Sequence, residues 1–364
     1  MTALPLRSSA LQSEMSESPA RILVTGATGY IGGSVLTEIL KNPAVQAGSV
    51  SALVRRTDQA EILRGHGVTP ILFKDLDDLA TLEKVATDFD VVINCANGFH
   101  STSAVALIKG LAKRKEKTRK EVHFIHTSGT SNLGDYRISG KYKESRIFTD
   151  KDHIFAYEKY REDMDAYPQR TTDIAVVETG LATSVRTYII MSPTIFGLGS
   201  GWFNNISIQI PTLIRTAIEK GRAEVVGSGD AKWNSVHIAD LAPLYAILLR
   251  GVIEGKELAY GTQGIYFSET GEHTWLDLAE GVAKAGFELG VLQSPAPVSI
   301  SLQQSASQWG NGSLQYGELG WCSSSRTRAV MSREMGWKPT KGRREFEENF
   351  LADFKLILGK SQKQ

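Results

Sequence analysis

The sequence predicts an α/β protein, a doubly wound parallel sheet with a smaller substrate lobe interleaved towards its C-terminal side. Three observations carry this. Short apolar runs alternate with amphipathic stretches through the first half, a glycine-rich loop follows the first apolar run, and the alternation weakens after Pro193.

The elements follow in order. Arg21-Ile-Leu-Val-Thr25 is a strand that leads into glycines, and residues 31–40 carry apolar side chains at helical spacing. Residues 50–54, 71–73 and 91–95 give three more strands. Then 104–112 reads as helix, 122–126 as strand, 171–177 as helix and 187–191 as strand. Strands that are apolar throughout are covered on both faces, which is the parallel arrangement. Beyond the Gly- and Asn-rich stretch 197–205, helices are expected over 206–220, 240–249 and 275–285, and the Ser/Gln-rich 295–313 reads as a loop over the surface or the site. The division this implies is a tail over 1–19, a nucleotide-binding domain over 20–196 to which about 233–267 returns, and a substrate lobe from 197–232 and 268–357.

Composition narrows the function. With 364 residues, 41% of them hydrophobic, the chain can bury a large core. A net charge of +1 provides no global field to attract nucleic acid or an anionic membrane. No apolar run approaches the ~20 residues of a membrane helix. Cys95 and Cys322, the only cysteines, lie far apart and outside metal-ligand spacing, so they read as reduced thiols and no metal is expected. The tail contains Glu14 and Glu17 and lacks an apolar centre, so it reads as a disordered tail and the protein as cytoplasmic. The cluster from Lys113 to Lys120 reads as a solvated helix end, where cations meet the negative end of the helix dipole.

The loop Thr25-Gly26-Ala27-Thr28-Gly29-Tyr30-Ile31-Gly32 has a mechanism in each glycine. Gly26 turns the chain sharply off the strand, Gly29 leaves room for a pyrophosphate against the backbone, and Gly32 lets the helix pack closely on the sheet. The helix N-terminus then offers free N–H groups and partial positive charge to phosphates. In this strand-loop-helix setting the loop predicts a Rossmann dinucleotide site.

Its three-and-three spacing resembles the extended branch of the short-chain dehydrogenase/reductases, the NAD-dependent epimerase/dehydratase-like proteins. Asp75-Leu76 resembles that branch's contact beside the adenine, and Ala96-Asn97 the strand end beneath the cofactor. Ser128 resembles its strand-five serine, Pro193-Thr194-Ile195 the loop that meets the nicotinamide, and Val236-His-Ile-Ala-Asp-Leu241 its Val-His-Val-x-Asp-Leu segment. The resemblance spans roughly residues 20–350 and implies a bound dinucleotide and a homodimer.

The second strand ends in Arg55-Arg56, where an NAD protein places an acid. An arginine fork matches a ribose 2′-phosphate, so the reading is NADP, with NAD the alternative. The resemblance also implies a catalytic Tyr with Lys four residues on, sharing a helix face, the ammonium lowering the phenol's pKa. None of the eleven tyrosines has that lysine. Tyr167 stands 26 residues before Pro193, but is followed by Pro168, which favours a helix start, and by Thr171 at i+4. Arg170 offers a charge from an adjacent face. Tyr157 stands 29 residues after Ser128 with Arg161 at i+4. Both remain open as proton donors, with Ser128 holding the substrate oxygen and Thr130 as its substitute.

Sugar-nucleotide members of the branch clamp a diphosphate with an arginine just before the Val-His segment. Here the chain reads Lys232-Trp233-Asn234, and an indole favours an apolar or aromatic organic substrate; Trp202 points the same way. His237 and Asp240 read as supports of the next turn, and Arg326 and Arg328 as a further anion contact. Three functions stay open: an NADP-dependent oxidoreductase on a small organic molecule, an epimerase or dehydratase, and a dinucleotide sensor resembling the NmrA-like proteins, which lack the Tyr-Lys pair.

Overall fold

The computed structural model describes residues 19–46 and 48–361. The tail expected over 1–19 therefore lies outside the described residues, Pro19 excepted. In chain order the strands of the main sheet begin with β1 (Ile22–Thr25), β2 (Val50–Val54), β3 (Thr69–Leu72), β4 (Val91–Asn94) and β5 (His123–Gly129). The helices between them are α1 (Tyr30–Ile39), α2 (Thr57–Gly65), α3 (Leu79–Ala86) and α4 (Ser101–Thr118). A short β6 (Phe148–Thr149), α5 (Ile154–Met164) and α6 (Pro168–Thr183) lead to β7 (Arg186–Ser192) and β8 (Thr194–Phe196). The second half runs α7 (Gln209–Lys220), β9 (Glu224–Val226), β10 (Lys232–His237), α8 (Ile238–Ile253), β11 (Ile265–Phe267), β12 (Gly271–Thr274) and α9 (Trp275–Glu288). It closes with β13 (Val298–Ile300), α10 (Leu302–Gln308), α11 (Leu314–Leu319), β14 (Thr327–Arg328), α12 (Val330–Glu334) and α13 (Arg343–Ser361).

Seven strands form one sheet in the order β11-β7-β5-β4-β1-β2-β3, and every ladder in it is parallel. Ile22, Leu23 and Val24 are wholly buried because helices cover both faces, α3, α4 and α6 packing side by side on one and α1 against α8 on the other. The order reverses between β1 and β4, and in such a sheet that reversal opens a crevice at the strands' carboxyl ends.

The second core gathers α7, α9 and α13 around Trp275, Phe346, Phe350 and Phe354. A three-stranded sheet, β12-β10-β8, joins this lobe to the main body: β8 continues directly from β7, and β10 leads through α8 back to the edge strand β11. The charged run ends α4 at Arg119, whose φ of 60° closes the helix. Its cations face carboxylates, Lys113 at Glu83 and Arg114 at Asp90. The stretch 295–313 is not one loop, since β13 pairs in parallel with β9 and a Ser301 capping box starts α10. Its serines and glutamines serve as helix caps, which is why composition alone misleads there.

The glycine loop shows why these positions exclude side chains. Gly26 has φ +70°, and a Cβ on it would stand 2.5 Å from the Cys95 carbonyl oxygen; one on Gly32 would stand 2.2 Å from that of Gly26. A Cβ on Gly29 would meet only the Gly26 carbonyl, at 3.2 Å. Gly32→Ala should therefore cost about 2 kcal/mol or more of stability, a backbone collision being at least as severe as core overpacking. Gly29→Ala should melt within about 2 °C of the wild type. Thermal unfolding of the two variants side by side checks this, and equal losses would contradict it.

Candidate active site

Two connected pockets open over the sheet reversal. The smaller, 280 Å³, is lined by Gly26, Thr28, Gly29, Arg55, Phe73, Asp75, Leu76, Ala96 and Asn97, among others. The larger, 580 Å³, shares Gly29, Cys95, Ala96 and Asn97 with it and extends past Tyr30, Ile31, Pro193 and Ile195 to Tyr167, Trp233 and Trp321. The N-terminus of α1 faces this junction with Gly29 as N-cap and no side chain capping it. Free helix N–H groups, a glycine open on its outer side and an elongated double pocket fit a dinucleotide laid across the crevice.

Most of the residues singled out in the sequence for this role meet here. Thr25, Gly32 and Thr194 stand behind the wall instead. The Thr25 hydroxyl donates to Asn94 Oδ1 at 2.6 Å, tying β1 to β4 under the crevice. Arg55 is exposed, lines the smaller pocket and has no acidic partner among the described residues. Arg56 is different: it precedes α2 and is turned onto Asp58, both Nε and Nη2 donating to that carboxylate. The two-arginine fork is thus reduced to Arg55, because Arg56 finds a local acid.

The catalytic candidates separate clearly. Tyr167 lines the larger pocket at the N-cap of α6, with Pro168 opening that helix. Its hydroxyl donates to Ser131 Oγ at 3.3 Å, and Ser131 donates to Gln169 Oε1 at 2.6 Å. Burial pushes the phenol up to about 12, the Ser131 hydrogen bond opposing it. Arg170 lies 5.8 Å from the ring centroid, with its nitrogens committed to Glu162 and the carbonyls of Asn132 and Asp165. Its charge opposes the rise of the phenol, but its nitrogens donate elsewhere and not to the hydroxyl.

Tyr157 is not at the pocket. Its hydroxyl accepts from Arg161 Nη1 at 2.9 Å and donates towards Tyr142 and Glu144, and its ring packs on Phe148. Burial raises this phenol despite the arginine, so Arg161 serves packing, not activation. Trp202 is also displaced: its ring stacks on His66 with centroids 3.9 Å apart. Arg326 and Arg328 both meet Glu272, at 3.0 and 3.7 Å, and neither lines the two pockets. His237 accepts from Ala239 N, and Asp240 accepts from the Thr340 and Lys341 amides, both supporting turns.

Ser128 reaches the pocket wall, but its hydroxyl donates at 2.6 Å to the fully buried Asp173. Asn132 Nδ2 bridges Glu158 and Asp173 at 2.8 Å each. His126 Nε2 lies 3.5 Å from Asp173. That is no ion pair, since burial drives the histidine down to about 3 and keeps it neutral. Burial raises both carboxyls, and the charge of Asp173 raises Glu158 further, so the pair holds a proton that neither acid would keep in water. Sequence reasoning missed Ser131, Gln169 and this pair. The serine stands three residues past the one chosen, and Gln169 belongs to no recognised motif.

Among the described residues no helix is long and apolar enough to cross a membrane, and no group of three or more His, Cys, Asp or Glu is placed to hold a metal. The fold and the site define a Rossmann-type α/β protein whose crevice fits a dinucleotide. The chain belongs to the NAD dependent epimerase/dehydratase family, whose pattern matches residues 22–259. A curated relative, the oxidase ucsJ of an Acremonium species, is 29% identical over 334 residues, covering 88% of this chain and 92% of that protein. Among solved structures, a dTDP-glucose 4,6-dehydratase from Streptomyces venezuelae with NAD bound superposes with TM-score 0.63 at 15% identity, over 93% of this chain and 98% of that one. A UDP-glucose 4-epimerase from Thermotoga maritima gives TM-score 0.60 at 13% identity, over 94% and 99%.

The buried pair sets a pH dependence. Unfolded carboxylates ionise near 4, whereas the folded pair retains its proton to higher pH, so the folded state binds more protons in between and stability falls as pH rises. Glu158→Gln keeps a donor beside Asp173 and removes that proton. From about pH 5 to about pH 8 its melting temperature should fall less than the wild type's. Parallel pH-melting curves for the two proteins would contradict the shared proton.

Proposed function

We propose that the protein is an NADP-dependent oxidoreductase that interconverts a carbonyl and an alcohol on a small, uncharged organic molecule with apolar or aromatic surface. One observation carries this: no residue lining the 580 Å³ cavity bears a formal charge. A sugar nucleotide's diphosphate needs cations there, as phosphate recognition generally does. Phe99, Ile195, Ile208, Trp233 and Trp321 offer apolar and flat surface instead. The relative named an oxidase supports redox chemistry.

When bound, the dinucleotide supplies or accepts a hydride at the substrate's reacting carbon. The rest falls to the chain. Gly29 and the α1 N-terminus hold the pyrophosphate, Arg55 the 2′-phosphate, and Asp75 and Leu76 the adenosine end. Tyr167 holds the proton that the substrate oxygen takes in reduction, and Ser131, anchored on Gln169, keeps the phenol aimed until that oxygen arrives. Burial here acts opposite to the lysine of the family pattern, raising the phenol instead of lowering it. With no lysine beside it the phenol stays protonated far above neutrality, so the proton is in place over the whole range although the acid is weaker than the family's.

NADPH should bind at least about tenfold tighter than NADH, and Arg55→Ala should erase most of that difference. Titration calorimetry with both cofactors decides it, and equal affinities in the wild type would sink the assignment. Tyr167→Phe should leave cofactor affinity and melting temperature nearly unchanged while ketone reduction falls about 100-fold or more. Wild-type reduction should persist to about pH 9. The missing cation also favours a second reading, a dinucleotide sensor. An intact Tyr167→Phe response against a carbonyl panel that consumes no NADPH would select it.

A further inference from the structure

Gln169 stands in the first turn of α6, two residues after Tyr167, and is 8% exposed. One end of its side-chain amide is engaged. Tyr167 donates to Ser131 Oγ at 3.3 Å, so the Ser131 proton passes on to Gln169 Oε1, at 2.6 Å. The other end, Nε2, has no hydrogen-bond partner among the described residues. Unlike the orphaned polar atoms buried elsewhere, it keeps a solvent-accessible face. An amide nitrogen carries two donors, and both are free here.

Two glycines frame that nitrogen. A Cβ on Gly98 would stand 3.4 Å from Nε2, and one on Gly129 would stand 3.0 Å from it. Gly98, Gly129, Gln169 and Tyr167 all line the larger cavity. Neither glycine has the left-handed backbone that calls for this residue, so the missing side chain preserves room beside the amide. The Thr127 carbonyl oxygen borders the same room, 3.0 Å from the Gly98 position, which suits the amide nitrogen there and not its oxygen. Neighbouring donors are committed, Ser128 to Asp173 and Arg170 to Glu162 and two carbonyls.

We infer that Gln169 is a further catalytic residue, its free amide N–H donating to the substrate's reacting oxygen beside the Tyr167 hydroxyl. The Ser131 hydroxyl, bonded to both groups, holds them within reach of one oxygen. In reduction, hydride adds to the carbonyl carbon and the C=O π pair moves to oxygen. That oxygen takes the Tyr167 proton, and water returns a proton to the phenolate left behind. The amide keeps both hydrogens and stabilises negative charge on the oxygen until the O–H bond forms, as preorganised donors do in an oxyanion hole. Tyr167, raised by burial, is a weak acid, so charge builds on the oxygen before the proton arrives and a second donor counts for more. This rests on the reading of the protein as an oxidoreductase of uncharged carbonyl compounds.

The test uses NADPH-saturated protein with 4-nitroacetophenone as probe. Gln169→Glu keeps the shape and the oxygen that Ser131 bonds, and exchanges the amide nitrogen for oxygen. Protonated, the new carboxyl still donates; ionised, it repels the developing charge. At about pH 8 its kcat should be about 100-fold below the wild type's with KM within about threefold. On going to about pH 5.5 it should recover about tenfold or more, where the wild type changes less than about twofold. Gln169→Met offers neither donor nor titrating group, so its kcat should stay about 100-fold low at both pH values. Calorimetry should give both variants an NADPH affinity within about threefold of the wild type's, which also reports a folded site. Wild-type kcat in either variant at about pH 8, a matching recovery by Gln169→Met, or NADPH affinity lowered about tenfold or more in both overturns the donor role and leaves the oxidoreductase reading standing. Failure of the wild type to reduce the ketone while it binds NADPH overturns the carbonyl reading itself, and the role of Gln169 with it.

Discussion

The contact between the Gly26 carbonyl and Gly32 governs the rest of the structure. With 2.2 Å between that oxygen and the place of a Cβ, the loop lies flat against the first turn of α1, and both press on Cys95 at the end of β4. This aims the helix N-terminus over the sheet reversal. The same surface then anchors the second lobe. Tyr30 donates to the Gly197 carbonyl at 2.7 Å, Gly33 packs on Gly201, and the Asn204 amide reaches the Thr28 carbonyl. The cavity is the space left between a loop and a lobe that share one set of glycines.

Burial, not charge, sets the chemistry of that space. Where the family resemblance implies a lysine, Thr171 turns to Glu162 and Arg170 is spent on carbonyls, so the phenol of Tyr167 remains a protonated group. Beneath the wall, Glu158 and Asp173 hold a proton in a site too dry for two charges, and His126 stays neutral beside them. Cys95, at the junction of the pockets, is pushed up to about 12 and remains a thiol. An interior of neutral donors suits an uncharged ligand and resists an anionic one.

Much of the architecture was legible because it depends on local pattern. Wholly apolar runs announced the buried parallel strands, and Pro168 announced the start of α6. Helices α2, α3, α5 and α13 were not legible, since their hydrophobic stripes are short or interrupted by charge and become helical by docking on the sheet or the second core. The 295–313 stretch misled for a related reason. Serine and glutamine serve loops and helix caps alike, and only the neighbouring β9 shows which.

By itself the sequence determined the fold class, the glycine loop and the strand ends that surround it, because these are read from spacing along one strand and one helix. Only the tertiary structure decided which candidate side chains meet. Tyr157 and Tyr167 differ by ten positions, yet one packs against Phe148 and the other lines the cavity, since the break between α5 and α6 redirects the chain. Trp202 and Trp233 part in the same way, one stacked on His66 and the other at the cavity wall. A side chain's partner depends on which distant backbone arrives beside it, and that is settled by packing in three dimensions, not by position in the chain.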